Sequence, residues 1–256
     1  MRISLLQINP LTAGQGRNLQ DVDTLLGSGN GADIYILPEM FNTGFCIDPA
    51  SIAQTIEGET IKWMRYKAKQ LNAAFAGSLA VKEDGFFYNR FCFVFPDGKL
   101  EGYDKRHLFS YSGENNHYTQ GCSRKNIEFR GVKILPQICY DLRFPVFSRN
   151  HDKYDMAIYV ASWPSSRRKV WDILLRARAI ENQCYVAAVN RVGMDSLGDY
   201  SGGSCLVDPY GNTVTCCQDG QVEMVSANVD LESMYRFRSK FPALSDADQY
   251  SIKYNR

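Results

Sequence analysis

Three residues in this 256-residue chain carry groups that could cooperate in covalent catalysis: the carboxylate of Glu39, the ammonium of Lys105 and the thiol of Cys139. Each follows an apolar or strand-like run. Glu39 follows Ile34-Tyr35-Ile36-Leu37-Pro38, Lys105 follows Leu100-Glu101-Gly102-Tyr103-Asp104, and Cys139 follows Ile134-Leu135-Pro136-Gln137-Ile138. Ligand sites in α/β proteins form where strands give way to loops, so three such ends can converge. Singly, each residue is ordinary: an acid after a strand caps a helix, a lysine in a turn is surface charge, and a cysteine ending an apolar run is core. Together they supply what a thiol nucleophile needs, namely a base, a positive charge and donors for an oxyanion.

The elements that must position them read as an α/β protein with a mixed sheet. Strands are expected near 3–8, 33–37, 74–81, 132–138, 156–160 and 185–189, with helices near 17–27, 58–71 and 167–182 and a helical stretch between the strands at 132–138 and 156–160. Pro96-Asp97-Gly98 between 86–95 and 99–103, and Asp208-Pro209-Tyr210-Gly211-Asn212, both signal hairpins and bring antiparallel pairing into the sheet. The helix at 167–182 is expected to bury the stripe Val170, Ile173, Leu174, Ala177 and Ile180. No linker or repeat divides the chain, so one domain over residues 1–256 is expected, with 237–256 as a polar tail lacking a clear helical stripe.

Composition narrows the partners. Hydrophobic residues make 45% and charged residues 22% of the chain, which excludes disorder, and a net charge of +1 from 29 basic and 28 acidic residues leaves no footprint for nucleic acid or a membrane surface. No segment approaches a transmembrane helix, and the apolar start at Ile3 to Ile8 is too short for a signal-peptide core. The eight cysteines lack C-x-x-C pairs or a disulfide framework, as expected of reduced thiols in the cytosol. No Gly-rich phosphate loop follows a strand, and the three histidines and scattered thiols have no metal-ligand spacing, so neither cofactor nor metal is expected. A papain-like base would have to be His107, His117 or His151, without papain-type sequence around Cys139.

Ile36-Leu37-Pro38-Glu39-Met40, Tyr103-Asp104-Lys105-Arg106-His107-Leu108-Phe109 and Gln137-Ile138-Cys139-Tyr140-Asp141-Leu142-Arg143-Phe144-Pro145 resemble the glutamate, lysine and cysteine motifs of the nitrilase superfamily of carbon-nitrogen hydrolases. Order and spacing agree along nearly the whole chain. Ala177-Arg178-Ala179-Ile180-Glu181-Asn182-Gln183 and Asn190-Arg191-Val192-Gly193 resemble its omega-amidase, Nit2-like branch.

That resemblance implies a four-layer α-β-β-α sandwich with mixed sheets, assembled as a homodimer or higher homo-oligomer with the tail reaching a partner subunit. It implies that Glu39 is the general base, that Lys105 and the backbone N–H of Tyr140 hold the oxyanion at about 3–4 kcal/mol of barrier per donor, and that Glu114 is a second glutamate orienting the lysine and a water. The substrate class implied is a small 2-oxo dicarboxylic acid monoamide such as 2-oxoglutaramate or 2-oxosuccinamate. Its carboxylate needs a cation: Arg167, in Ser162-Trp163-Pro164-Ser165-Ser166-Arg167-Arg168-Lys169, is the candidate, with Trp163 shaping the pocket and Arg143 read as structural. Rival readings are an N-carbamoyl amine or amino acid hydrolase, a nitrile hydrolase, an inactive scaffold, and a glutaminase feeding a separate synthetase.

Overall fold

The computed structural model describes residues 1–27 and 31–253. In chain order, β1 (Arg2–Gln7), α1 (Gln15–Leu26) and β2 (Ile34–Ile36) precede α2 (Glu59–Leu71), followed by β3 (Ala74–Glu83), β4 (Phe86–Val94) and β5 (Leu100–Asp104). A hairpin of β6 (Ile127–Phe129) and β7 (Val132–Ile138) leads through the one-turn α3 (Pro145–Ser148) to β8 (Met156–Ala161), α4 (Arg168–Asn182) and β9 (Tyr185–Asn190). The remaining elements are β10 (Val192–Asp195), β11 (Gly198–Ser201), β12 (Cys205–Val207), β13 (Thr213–Cys216), β14 (Glu223–Asn228) and α5 (Leu231–Lys240).

Twelve of these strands form two six-stranded sheets, ordered β14-β1-β2-β3-β4-β5 and β13-β12-β9-β8-β7-β6, while β10 and β11 pair apart. Each sheet has three parallel strands, β1, β2 and β3 in one and β7, β8 and β9 in the other, flanked by antiparallel neighbours. The expected hairpins are both present. Gly98, at φ +86°, takes the left-handed turn conformation between β4 and β5, which pair from Val94–Leu100 to Arg90–Asp104.

Strand alternation explains the layers, because successive side chains leave opposite faces of a sheet. Ile3, Leu5, Ile34, Ile36, Phe91 and Phe93 of the first sheet share one buried cluster with Ile134, Ile138, Ile158, Val160, Val189 and Leu206 of the second. Their neighbours point outward. Leu6, Tyr35 and Phe75 meet Val22 and Leu26 of α1 and Ile61, Met64 and Ala68 of α2, while Leu135, Tyr159 and Val186 meet Trp171, Leu175 and Ala179 of α4. Both sheets are therefore covered on both faces, which is why their central strands read as nearly continuous apolar runs. The architecture is the expected four-layer α-β-β-α sandwich.

Two expectations need correction. α4 does not bury Ile173 and Ile180, which are 55% and 53% exposed; it buries Trp171, Leu175, Arg178, Ala179 and Asn182. The two polar residues lie inside because they are hydrogen-bonded: Arg178 Nη2 donates to Leu142 O at 2.6 Å, and Asn182 Oδ1 accepts the Asn150 N–H at 3.0 Å. Nor is the start of the tail irregular, since α5 runs to Lys240 behind an Asp230 cap that accepts the Ser233 N–H. Residues 254–256 of the tail lie outside the described residues.

Candidate active site

Glu39 stands just beyond β2, at the end of a strand buried on both faces. Its backbone turns sharply there: Met40 has φ +46° and donates its N–H to Ser78 Oγ at 3.0 Å. The carboxylate is fully buried. Oε1 accepts from Lys105 Nζ at 2.9 Å and from Asn89 Nδ2 at 2.8 Å, and Oε2 accepts the backbone N–H of Ser162 at 2.9 Å.

Lys105 follows β5, where the ladder continues beyond the strand: its N–H donates to Asn89 O and its carbonyl accepts the Gly121 N–H, both at 2.9 Å. A Cβ at residue 121 would stand 2.1 Å from Asp104 O, so only glycine permits this approach. The buried ammonium reaches Glu114 as well, at 3.0 Å from Oε1 and 2.9 Å from Oε2. Glu114 also accepts the Phe109 N–H at 2.6 Å, pinning the loop between Lys105 and itself. The family resemblance implied that Glu114 stands beside the lysine, and the two are in contact.

Cys139 follows β7 in the left-handed region, at φ +44°, a conformation that costs a residue with a Cβ roughly 1–2 kcal/mol. A buried carboxylate holds the turn. Asp141 accepts the Ile138 N–H at 2.9 Å, the His107 N–H at 3.1 Å and the Tyr103 hydroxyl at 2.9 Å, with His107 Nδ1 2.7 Å away. The cysteine turn is thereby fastened to the segment carrying Lys105. Tyr140 is the second residue of the 3-10 turn Cys139–Arg143, whose leading N–H groups have no partner within the turn.

Electrostatics fix the resting state. Burial pushes the Cys139 thiol well above the ordinary thiol range; the Glu39 charge adds to this and Lys105 opposes it. The turn after Cys139 is too short for a helix dipole to reverse the sign. Burial alone would depress the Lys105 ammonium, but the Glu114 and Glu39 carboxylates outweigh it and hold it well above its usual range. The centre thus sets a thiol beside an ammonium and a carboxylate.

A cavity of about 670 Å³ opens over this centre, lined by Glu39, Lys105, Cys139 and Tyr140, and farther out by Trp163 and Arg167. Glu114 lies behind Lys105, off the cavity wall. None of the three histidines lines it. Trp163 is buried and fixed, its N–H donating to Asn190 Oδ1 at 2.7 Å and its indole Nε1 to Arg167 O at 2.9 Å. The Arg167 guanidinium sits 5.3 Å over the Phe109 ring, whereas Arg168 is occupied by Asp172 and Asp219. Arg143, expected as structural, also lines the cavity, 5.0 Å over the Trp163 ring. Among the described residues neither Arg143 nor Arg167 has a hydrogen-bonded or ion-paired acceptor, so two guanidinium groups in one cavity are free for an anion.

Sequence reading missed Asn89, Ser162 and Asp141. Asn89 and Ser162 look like ordinary polar residues in or after a strand; only the strand register brings them to Glu39. Asp141, two residues beyond Cys139, stood in the quoted motif without a role.

A thiol, two carboxylates and an ammonium are gathered where the two packed sheets of the α-β-β-α sandwich end. Residues 2–239 match the carbon-nitrogen hydrolase family model, and the chain belongs to that family, part of the nitrilase superfamily. The chain is 45% identical over 253 residues to omega-amidase YafV of Yersinia enterocolitica, covering 98% of each protein. It is 32% identical over 251 residues to a 2-oxoglutaramate amidase of Bacillus subtilis, covering 95% of this chain and 96% of the relative. Among solved structures, XC1258 of Xanthomonas campestris, a CN-hydrolase superfamily protein with an arsenic adduct in its active site, superposes with a TM-score of 0.95 at 38% identity, covering 99% of both chains.

Proposed function

We propose that the chain is an omega-amidase that hydrolyses the terminal amide of small 2-oxo dicarboxylic acid monoamides, 2-oxoglutaramate and 2-oxosuccinamate, to the dicarboxylate and ammonia. The observation that carries the reading is the cavity that joins the Glu39–Lys105–Cys139 centre to two unpaired guanidiniums, Arg143 and Arg167. One end suits an amide carbonyl and the other a carboxylate.

In this mechanism Glu39 takes the Cys139 proton as Sγ attacks the amide carbon. The carbonyl π electrons move to oxygen, where Lys105 Nζ and the Tyr140 N–H stabilise the charge. Collapse breaks the C–N bond, Glu39 returns its proton to the leaving nitrogen, and ammonia departs, leaving a thioester. Water then enters; Glu39 takes one of its protons, hydroxide adds to the thioester carbon, and the C–S bond breaks with reprotonation of sulfur. Glu114 acts on this cycle through Lys105, which it keeps charged and in place. Arg143 and Arg167 bind the distal carboxylate, with Trp163 as the wall between them and the thiol.

Ammonia release from 2-oxoglutaramate, 2-oxosuccinamate, glutamine and an N-carbamoyl amino acid tests the substrate class. Turnover of the two 2-oxo acid amides above the others supports it; preference for the carbamoyl compound sinks it while leaving the chemistry.

The reading includes one catalytic domain over residues 1–256, working as a homodimer in the cytosol. Eight free cysteines support a reducing compartment. A run of apolar contacts with Ile180, Tyr210 and Phe241 exposed supports self-association: Ile180 abuts Gly211, the Tyr210 ring lies 4.2 Å from that of the half-buried Phe237, and Phe241 follows at 6.3 Å. Light scattering should find a dimer that Ile180→Glu dissociates; a wild-type monomer at micromolar concentration ends this part of the reading.

A further inference from the structure

Asn89 is fully buried on β4 and does not line the cavity, yet its side chain touches both glutamates of the centre. Nδ2 donates to Glu39 Oε1 at 2.8 Å and to Glu114 Oε1 at 3.1 Å, while Lys105 Nζ donates to the same two oxygens at 2.9 and 3.0 Å. The four atoms close a ring in which each nitrogen gives two hydrogen bonds and each oxygen receives two. We propose that Asn89 is a positioning residue of the amide hydrolysis, its amide completing the ring that holds Glu39 and Glu114 on either side of Lys105 and keeps the Glu39 Oε2 lobe turned toward Cys139.

Charge counting shows what the amide adds. Two carboxylates share one ammonium, so the ring holds one excess negative charge in a place closed to solvent, and the two Oε1 atoms repel. Asn89 inserts a donor between them without adding charge. A lysine there would cancel the basicity that Glu39 needs, and a serine hydroxyl has one proton for two acceptors.

The rest of the side chain points the same way. Asn89 Oδ1 is buried with no partner among the described residues, a cost that a leucine of similar size would avoid. Turning the amide over would set Oδ1 against two carboxylate oxygens, so the orphaned acceptor is the consequence of presenting both N–H groups to the ring. The backbone adds a second hold, because Asn89 O accepts the Lys105 N–H at 2.9 Å. One residue therefore fixes the lysine at its backbone and, through the glutamates, at its ammonium.

The inference rests on the reading of Glu39 as the base, and the test separates the two. Ammonia release from 2-oxoglutaramate is measured for wild type, Asn89→Leu, Asn89→Ala, Glu114→Gln and the double variant Asn89→Leu/Glu114→Gln, with circular dichroism confirming the fold. Loss of a buried hydrogen bond to a charged group predicts a kcat lower by about 10- to 100-fold in both Asn89 variants, with KM within about twofold. Because Asn89 and Glu114 belong to one ring, the double variant should lose much less than the product of the single losses. The smaller Asn89→Ala carries the test if leucine prevents folding. Multiplying losses, a KM rising in step, or a wild-type kcat in either Asn89 variant would overturn the role of Asn89 alone. A wild type that releases no ammonia would instead defeat the amidase reading.

Discussion

Glu39 Oε2 accepts the backbone N–H of Ser162 at 2.9 Å, so the carboxylate at the end of one sheet is held by the end of β8 in the other. The Cys139 thiol lies against the same two groups. Glu39 and Cys139 thus come from different sheets, and their separation is set by backbone at the place where the sheets pack, not by flexible side chains.

Replacing Glu39 should lower two observables, the rate and the pH at which Cys139 titrates. Glu39→Gln should lower kcat/KM by about 10²- to 10⁴-fold, the usual contribution of a positioned general base. The Glu39 charge is, after burial, the main cause holding the thiol up, so its removal should move the Cys139 titration to lower pH. Thiolate absorbance near 240 nm, taken as the difference from Cys139→Ala, reads the shift; an upward or absent shift would contradict the arrangement.

The cavity cations should separate binding of charge from chemistry. Arg143→Met and Arg167→Met should each raise KM for 2-oxoglutaramate by roughly 10-fold or more, as expected for a charge-assisted contact of about 1.5–3 kcal/mol. Neither should alter kcat/KM for an uncharged aliphatic amide. Steady-state kinetics on the two substrates decides; equal losses on both would assign the guanidiniums a structural role.

Stability should fall at alkaline pH. Burial pushes Cys92, Cys184, Cys205 and Cys217 each up to about 12, and Cys139 well above the ordinary thiol range. The unfolded chain therefore releases these protons near pH 9 while the folded chain keeps them to about 12. Between those values the unfolded state binds fewer protons and stability declines as pH rises. Lys105, also raised, contributes in the same direction: its stabilisation is present below its unfolded pKa and is lost as pH rises through the folded one. The urea midpoint should drop from pH 8 to pH 11, and less steeply in Cys92→Ala/Cys184→Ala; a flat profile would contradict the burial of these thiols.

What the sequence discloses about this molecule follows from locality. Glu39 and Cys139 could be singled out because each follows a strand whose apolar run is continuous in the chain, Lys105 because it follows the second strand of the hairpin marked by Pro96-Asp97-Gly98, and both turn clusters are local for the same reason. α4 misleads because it has apolar residues on two faces; Ile173 and Ile180 complete the better period, but the sheet takes the face with Trp171 and Leu175 and accommodates Arg178 and Asn182 through hydrogen bonds to Leu142 and Asn150. Periodicity finds a stripe without saying which side meets the sheet. Non-local pairing is harder still: β14 joins β1 from the far end of the chain, Ser162 reaches Glu39 across 123 positions, and Asn89 reaches it across 50. No local signal in a strand announces such partners, and the division into two sheets was carried by family resemblance instead of by periodicity.

We propose that Cys139 forms a thioester with the acyl part of a 2-oxo acid amide. It is tested most directly by mixing wild type and Cys139→Ala with 2-oxoglutaramate, following ammonia, and quenching in acid for intact and peptide mass. Wild type should release ammonia and carry an acyl adduct confined to the peptide bearing Cys139, and Cys139→Ala should show neither. Ammonia release by the alanine variant at the wild-type rate, or an adduct on another residue, would contradict it.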